Sequence, residues 1–226
     1  MNRVDAAWLV GRPILGLPAA LSSRLRSYGT DRLPQSGGVV LAFNHFSWID
    51  IPCVGYASPR SIYFLAKIEA HRVHGLGELI RLFGTLSVRR GESDRDAVRR
   101  MREVVREGNV LGVFAEGTRQ KSGVPGHVQP GAAMAALQED VPVVCVAIHG
   151  SQRWQLGNFA PVSLAWGEPM RFEGLPKGAK GYREASQEIE QELHRLWAWL
   201  RDLHDAGRPR VATPPGRGAG PVTLPA

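Results

Sequence analysis

Val39-Val40-Leu41-Ala42-Phe43-Asn44-His45-Phe46-Ser47-Trp48-Ile49-Asp50 is the stretch on which the reading of this chain turns. Five consecutive apolar residues after Ser36-Gly37-Gly38 predict a strand buried on both faces, because a half-exposed strand would alternate polar with apolar. A helix is expected to start near Ser47. Between strand and helix stand an imidazole and a carboxylate, His45 and Asp50, in a His-x4-Asp spacing. Open α/β sheets place their sites beyond the carboxyl ends of strands. The pair therefore reads as a general base with its orienting acid. Histidine suits the role because its ordinary pKa lies near neutrality. Asp50 would hold the ring through Nδ1–H and leave Nε2 free to accept a proton. The same spacing has a second reading: Asp50 follows Ser47 by three residues and would close a helix-start capping box.

The rest of the chain repeats the strand-then-helix rhythm. Ile62 to Ala66 predicts a second strand ending at Lys67, and Leu76, Leu79, Ile80 and Phe83 recur at helical spacing before Gly84. Thr85 to Val88 is a third strand, followed by Arg89 and Arg90. Ser93 with Asp96 forms a capping-box pattern ahead of a helix whose apolar face is Ala97, Val98, Met101, Val104 and Val105. Val110 to Phe114, Val141 to Ile148 and Val162 to Trp166 complete six predicted strands, with a small-residue helix over Ala132 to Leu137 and a last helix over Tyr182 to His204. This alternation predicts one α/β domain: a largely parallel or mixed sheet of about six to seven strands flanked by helices.

Composition narrows the partners. The 226 residues suffice for one sizeable core, and the net charge of +7 favours anionic partners: nucleic acid, an acidic membrane surface or a phosphorylated substrate. The two cysteines, Cys53 and Cys145, sit in apolar surroundings and read as buried free thiols of a reducing compartment. Residues 1–30 combine Trp8, Leu9, Val10, Ile14, Leu15, Leu17 and Leu21 with Arg3, Arg12, Arg24 and Arg26. They read as an amphipathic membrane-associating segment, or as a helix packed on the domain. Arg12, Pro13 and Pro18 interrupt the apolar run, so no clear membrane-spanning helix and no signal peptide are expected. Residues 31–205 form the expected domain. Residues 206–226, rich in Pro, Gly and Arg, are expected to be a disordered tail.

A second polar stretch, Glu116-Gly117-Thr118-Arg119, follows the strand ending at Phe114. Gly117 permits a tight turn, Thr118 offers a hydroxyl and Arg119 a planar fork suited to phosphate. Glu116 is expected to orient Arg119 or to receive a substrate hydroxyl. In a parallel sheet Lys67, Arg89 and Arg90 gather on the same edge as His45 and Arg119, making an anion pocket beside a base. Alternatively these are ordinary solvated charges or a polar surface turn.

Taken in order, these stretches resemble the 1-acylglycerol-3-phosphate acyltransferase (PlsC-like) family. Asn44 to Asp50 matches its Asn-His-x-Ser-x-x-Asp block in full. Gly84 to Arg90, Phe114 to Arg119 and Val141 to Ile148 resemble its second, third and fourth blocks, and Ala66-Lys67-Ile68-Glu69 resembles its Ala-Lys-x-Glu. Ser87, Ala115, Cys145 and Gln129 depart from the family pattern. The resemblance implies transfer of a fatty acyl group from acyl-CoA or acyl-carrier protein to a lipid hydroxyl. It implies His45 and Asp50 as catalytic residues, and Lys67, Arg90, Glu116, Gly117, Thr118 and Arg119 around the phosphorylated acceptor. No metal, no cofactor and no acyl-enzyme are expected; the last fits the absence of Gly-x-Ser-x-Gly. The expected product is phosphatidic acid from lysophosphatidic acid, made at the cytoplasmic face of the cell membrane. Another lysophospholipid or a lyso-aminolipid is the alternative acceptor. A non-catalytic basic protein binding lipid or nucleic acid, through the tail arginines Arg208, Arg210 and Arg217, is the reading of a different class.

Overall fold

In the computed structural model, which describes residues 2–88 and 95–218, the strand β2 (Val39–Phe43) is the middle strand of a seven-stranded sheet. The others are β1 (Arg26–Tyr28), β3 (Ile62–Lys67), β4 (Leu86–Val88), β5 (Val110–Phe114), β6 (Val143–His149) and β7 (Ser163–Trp166). Their order across the sheet is β1-β7-β6-β2-β5-β3-β4. β2 pairs in parallel with β5 on one side and β6 on the other, and all five of its residues are 0% exposed. An unbroken apolar run is what a strand enclosed on both faces and both edges needs.

Alternate residues of the central strands feed two cores. Val40, Ala42, Leu111, Val113, Cys145 and Ala147 pack beneath one helical layer. That layer contains α6 (Arg95–Arg106), α7 (Gly131–Glu139) and the long α8 (Ala179–Asp205). Val39, Leu41, Phe43, Phe114, Val144 and Val146 face the other side with Trp8, Ile49 and Cys53. There the cover comes from α1 (Arg3–Gly11), α2 (Leu17–Ser22) and α3 (Asp50–Ala57). Two shorter helices, α4 (Ile68–Arg72) and α5 (Leu76–Leu82), follow β3. β6 and β7 pair antiparallel, so the sheet is mixed. The predicted strands are all present. β1 is additional: three residues with arginine and serine carry no apolar run, yet they pair in parallel with β7. A domain boundary at residue 30 would therefore cut a strand out of the sheet. The capping pattern at Ser93 lies outside the described residues.

The N-terminal segment corrects the expectation of a broken helix. Arg3–Ser22 is one helix of 20 residues, α1 and α2 joined by a π-helical turn at Arg12–Gly16. Pro13 stands at the start of the π-helical turn and Pro18 at the start of α2, and the chain stays helical through both. By length and composition this helix suffices to cross a membrane. It also lies against the domain. Trp8 stacks edge-on to Phe83 at 5.2 Å and meets Phe64 at 6.3 Å. A Cβ at Gly55 would strike the Trp8 ring, one at Gly11 the Phe83 ring and one at Gly16 Tyr56. Glycines thus seat the buried face. Leu9, Val10, Ile14, Leu15, Leu17 and Leu21 remain exposed on the other.

The tail also departs from expectation. As far as Arg217 it is bound to the domain through hydrogen bonds, with Pro214 and Pro215 buried and Ala212 packed against the core. Arg208, only 7% exposed, donates to the Ser163 hydroxyl and to the carbonyls of Arg24 and Val162. Tyr28 donates to the Pro209 carbonyl and Arg32 to those of Pro214 and Pro215. Arg217 pairs with Glu188 at 3.3 Å. Arg208 is thus engaged inside the molecule, which removes one of the three arginines invoked for nucleic acid, while the Arg217–Glu188 pair lies at the surface.

Beside Arg208, His204 bonds Ser163 at 2.8 Å and packs edge-on against His149 at 4.3 Å. Burial, with nearby arginines, pushes His149 down to about 4 and His204 down to about 3. Both are depressed in the fold and titrate near 6.5 when unfolded. The unfolded chain then binds more protons, so their contribution is complete above about pH 6.5 and is lost as pH falls toward 4. Thermal melting should therefore weaken across that window. His204→Asn should flatten the dependence, and a melting curve as steep in pH as the wild type's would show that the pair does not cause it.

Candidate active site

The site begins where the β2–β5 ladder runs out. Phe43 pairs with Phe114, and the Ala115 N–H then donates to the Phe43 carbonyl at 2.8 Å. Proline at 115 would have no hydrogen to give, so this departure from the family pattern adds a bond to the ladder. Asn44 extends β2 toward β6 with its side chain. Its amide donates to the Ile148 carbonyl at 2.9 Å and its oxygen accepts the Ile148 N–H at 2.7 Å. The main chain at His45 is held from β5: its N–H donates to Glu116 Oε2 at 2.7 Å and its carbonyl accepts the Gln120 N–H at 2.7 Å.

With its backbone fixed, the His45 ring has one orientation. It stacks on Phe114, centroids 4.0 Å apart, and its Nδ1 lies 2.9 Å from Asp50 Oδ2. The same oxygen accepts the N–H groups of Phe46 and Ser47, each at 2.8 Å. An oxygen receiving two backbone N–H groups is a carboxylate acceptor, so Nδ1 is the donor; in the neutral ring the lone pair then lies on Nε2. Asp50 is fully buried and His45 is 5% exposed. The two sequence readings of this stretch converge: Asp50 opens α3 and its carboxylate reaches back to the preceding turn. The Ser47 hydroxyl does not cap the helix, and the N-cap position falls on Ile49.

Glu116 takes a different place from the one expected. Oε2 holds His45 N–H and Oε1 accepts the Gly126 N–H at 2.8 Å. Both oxygens thus serve the protein's own backbone, and Glu116 is a positioning residue. Burial pushes its carboxyl up to about 7, against the pull of those two N–H groups. Gly117 adopts φ +72°, the left-handed turn its place requires. Thr118 and Arg119 stand exposed on this loop, just before Gln120 docks on His45. Lys67 ends β3, exposed, two strands away from β2. Arg89 and Arg90 lie outside the described residues.

The structure thus gathers His45, Asp50 and Glu116 and leaves Thr118 and Arg119 at the surface of the same loop. Asn44, Phe114 and Gln120 were not singled out from sequence as parts of the site. The only signal for Asn44 was its place beside His45 in the matched block. Neither cysteine offers a nucleophile. Both are buried, Cys53 is pushed up to about 12 by burial, and Cys145 is raised well above its usual value. Among the described residues no cluster of three or more His, Cys, Asp or Glu is placed to hold a metal ion.

The pair is an imidazole oriented by a buried carboxylate at a strand end, with no hydrogen bond to Nε2 among the described residues. The comparisons give the chemistry. An acyltransferase family profile matches residues 24–149, and the chain belongs to that family, among its PlsC-like members. A curated 1-acyl-sn-glycerol-3-phosphate acyltransferase of Bacillus subtilis is 26% identical over 188 residues, covering 78% of this chain and 94% of that protein. A lyso-ornithine lipid O-acyltransferase of Pseudomonas aeruginosa is 38% identical over 107 residues, covering 46% of this chain and 40% of that one. The crystal structure of the 1-acyl-sn-glycerophosphate acyltransferase PlsC from Thermotoga maritima superposes with a TM-score of 0.67 at 24% identity, over 85% of this chain and 82% of that one. The protein is an acyltransferase.

If Asn44 and Glu116 position His45, Asn44→Ala and Glu116→Ala should each lower kcat by ~10- to 100-fold, the penalty of misplacing a catalytic group by about 1 Å. Acceptor KM should stay within about threefold. A rise in KM at unchanged kcat would instead make Glu116 a substrate ligand.

Proposed function

We propose that this enzyme transfers a fatty acyl group from acyl-CoA or acyl-carrier protein to the sn-2 hydroxyl of 1-acylglycerol-3-phosphate, giving phosphatidic acid. The observation that carries the reading is the His45–Asp50 pair at 2.9 Å, with no hydrogen bond to Nε2 among the described residues. The acceptor hydroxyl gives its proton to Nε2 as its oxygen forms a bond to the thioester carbonyl carbon. The C–S bond then breaks, and the imidazolium returns the proton to the departing thiolate. Asp50 stabilises the imidazolium throughout. The thioester already holds the acyl group in activated form, so the residues described need no cofactor for this step. Arg119, with Thr118 beside it, takes the acceptor phosphate at the exposed end of the loop. Lys67, at the end of β3, adds positive charge, and by the resemblance of its sequence block Arg90 also serves the acceptor phosphate.

Membrane attachment belongs to the proposal. The N-terminal helix exposes Leu9, Val10, Ile14, Leu15, Leu17 and Leu21, and Trp48 and Ile51 on either side of Asp50 are exposed as well. Apolar surface that would enter lipid is thus present on the helix and close in sequence to His45. The cytoplasmic leaflet is the side on which acyl-CoA and acyl-carrier protein meet such a surface. A second reading keeps the chemistry and changes the acceptor to an amino-acid lipid. It is favoured by the 38% identity to the lyso-ornithine lipid enzyme of Pseudomonas aeruginosa.

One labelled thioester presented with a panel of lyso-lipids tests both. Transfer should be fastest to 1-acylglycerol-3-phosphate. His45→Ala should lose ~100- to 10,000-fold in kcat with every acceptor, the usual worth of a general base. Arg119→Ala should raise KM for the phosphate-bearing acceptor by about tenfold, one charge-assisted bond, at similar kcat. Preference for lyso-ornithine lipid would select the second reading, and transfer by His45→Ala at the wild-type rate would exclude both.

A further inference from the structure

The far edge of the sheet holds a second polar cavity. Its volume is about 370 Å³, and its walls include Asp5, Leu9, Arg12, Arg60, Ser61 and Asn109. Ser61 and Asn109 directly precede β3 and β5, so the cavity lies at the amino ends of these strands. His45 lies past the carboxyl end of β2, which runs in register with β5. Five strand residues, roughly 16 Å, separate the two places. This cavity is therefore not part of the acyl-transfer site.

Its chemistry is that of an anion receptor in which one carboxylate stands against two guanidinium groups. Arg12 Nε and Nη2 are buried and make no hydrogen bond among the described residues. Its guanidinium lies over the Trp8 ring, 5.9 Å from the centroid, which fixes the fork from behind. Asp5 is close enough to act on Arg12 electrostatically, but its carboxylate accepts the Asn2 N–H in the helix cap. Arg60 contributes a second positive charge. It is anchored by three backbone carbonyls, those of Pro34, Gly37 and Gly108, so its own position is set. Burial lowers the pKa of both arginines, the mark of charges removed from water without full compensation. Two cations face one carboxylate, with a hydroxyl and a carboxamide on the wall beside them. Two buried guanidinium nitrogens without an acceptor leave Arg12 unsatisfied unless an anion meets it. The fork matches phosphate oxygens in geometry and charge.

We propose that this cavity binds a phosphate group, supplied by the headgroup of an anionic membrane phospholipid. Leu9 connects the two environments: it lines the cavity and is 66% exposed on the apolar face of the helix. A lipid with its acyl chains along that face would bring its phosphate to Arg12. The choice of lipid over free phosphate rests on the membrane-facing reading of the N-terminal helix; the phosphate site itself does not.

The test is sedimentation of the full chain with phosphatidylcholine vesicles, with and without phosphatidylglycerol, at one ionic strength. It needs no turnover, so it is independent of the identity of the acyl acceptor. Wild type should prefer the anionic vesicles. Arg12→Lys keeps the charge and loses the fork, and should reduce that preference by at least about tenfold, with Arg12→Gln as a second variant losing as much. Arg3→Gln removes an exposed charge from the same helix and should cost no more than about fivefold, the worth of one surface charge near an anionic membrane. An undiminished preference in both Arg12 variants, or an equal loss in Arg3→Gln, overturns the proposal. Ile14→Glu with Leu21→Glu should abolish binding to both vesicle types; if wild type binds neither, the membrane-facing reading has failed instead. Melting with inorganic phosphate against chloride then decides. Stabilisation of wild type but not of Arg12→Lys assigns the site to free phosphate, and no stabilisation refutes it.

Discussion

The parallel pairing of β2 with β5 and β6 is the constraint from which the rest follows. It places Phe43 beside Phe114 and Val146, and it ends there. Beyond the last rung the backbone groups still need partners, since an unpaired buried amide or carbonyl costs about as much as a lost hydrogen bond. The partners come from side chains and loops: the Asn44 amide toward β6, and the Glu116 carboxylate and Gln120 N–H toward β5. His45 is held because the ladder is continued by other means for one more residue. The Phe114 ring, delivered by the same register, is the floor on which the imidazole lies. The geometry of the proposed site is the way a central strand terminates.

That view explains which features could be read in advance. Val39–Phe43 and Val110–Phe114 announce themselves because strands enclosed on all sides must be apolar throughout. The His45–Asp50 contact was visible because it spans five residues and lies on one turn. Glu116 was noticed for its charge, but its task was not legible, because the bond to His45 crosses 71 residues and depends on strand register. β1 escaped notice for the opposite reason: an edge strand of three residues needs no apolar pattern to pair with β7. In the tail, carbonyls of Pro209, Pro214 and Pro215 accept from Tyr28 and Arg32. Main-chain acceptors of that kind leave no trace in residue type.

The N-terminal helix shows how local rules bend to tertiary demand. Two prolines and an arginine argued against a continuous helix, yet the π-helical turn at Arg12–Gly16 lets the chain continue and rotates its faces. One face then buries Trp8 against Phe64 and Phe83, while leucines and isoleucine crowd the other. An arginine in such a place would be a flaw in a purely apolar anchor. Beside Arg60 and Ser61 it lines a polar cavity at the amino ends of β3 and β5.

The central claim is that a buried carboxylate fixes the tautomer of His45 so that Nε2 can take a proton. The Asp50→Asn variant tests it most directly, because the carboxamide keeps the size of the side chain and removes its charge. Steady-state acyl transfer should show kcat lowered by ~1,000- to 10,000-fold, the scale seen when a histidine base loses its orienting aspartate, with acceptor KM and melting temperature close to wild type. Activity within about tenfold of wild type would mean that Asp50 serves only the start of its helix, and that the His45 base is set by something else.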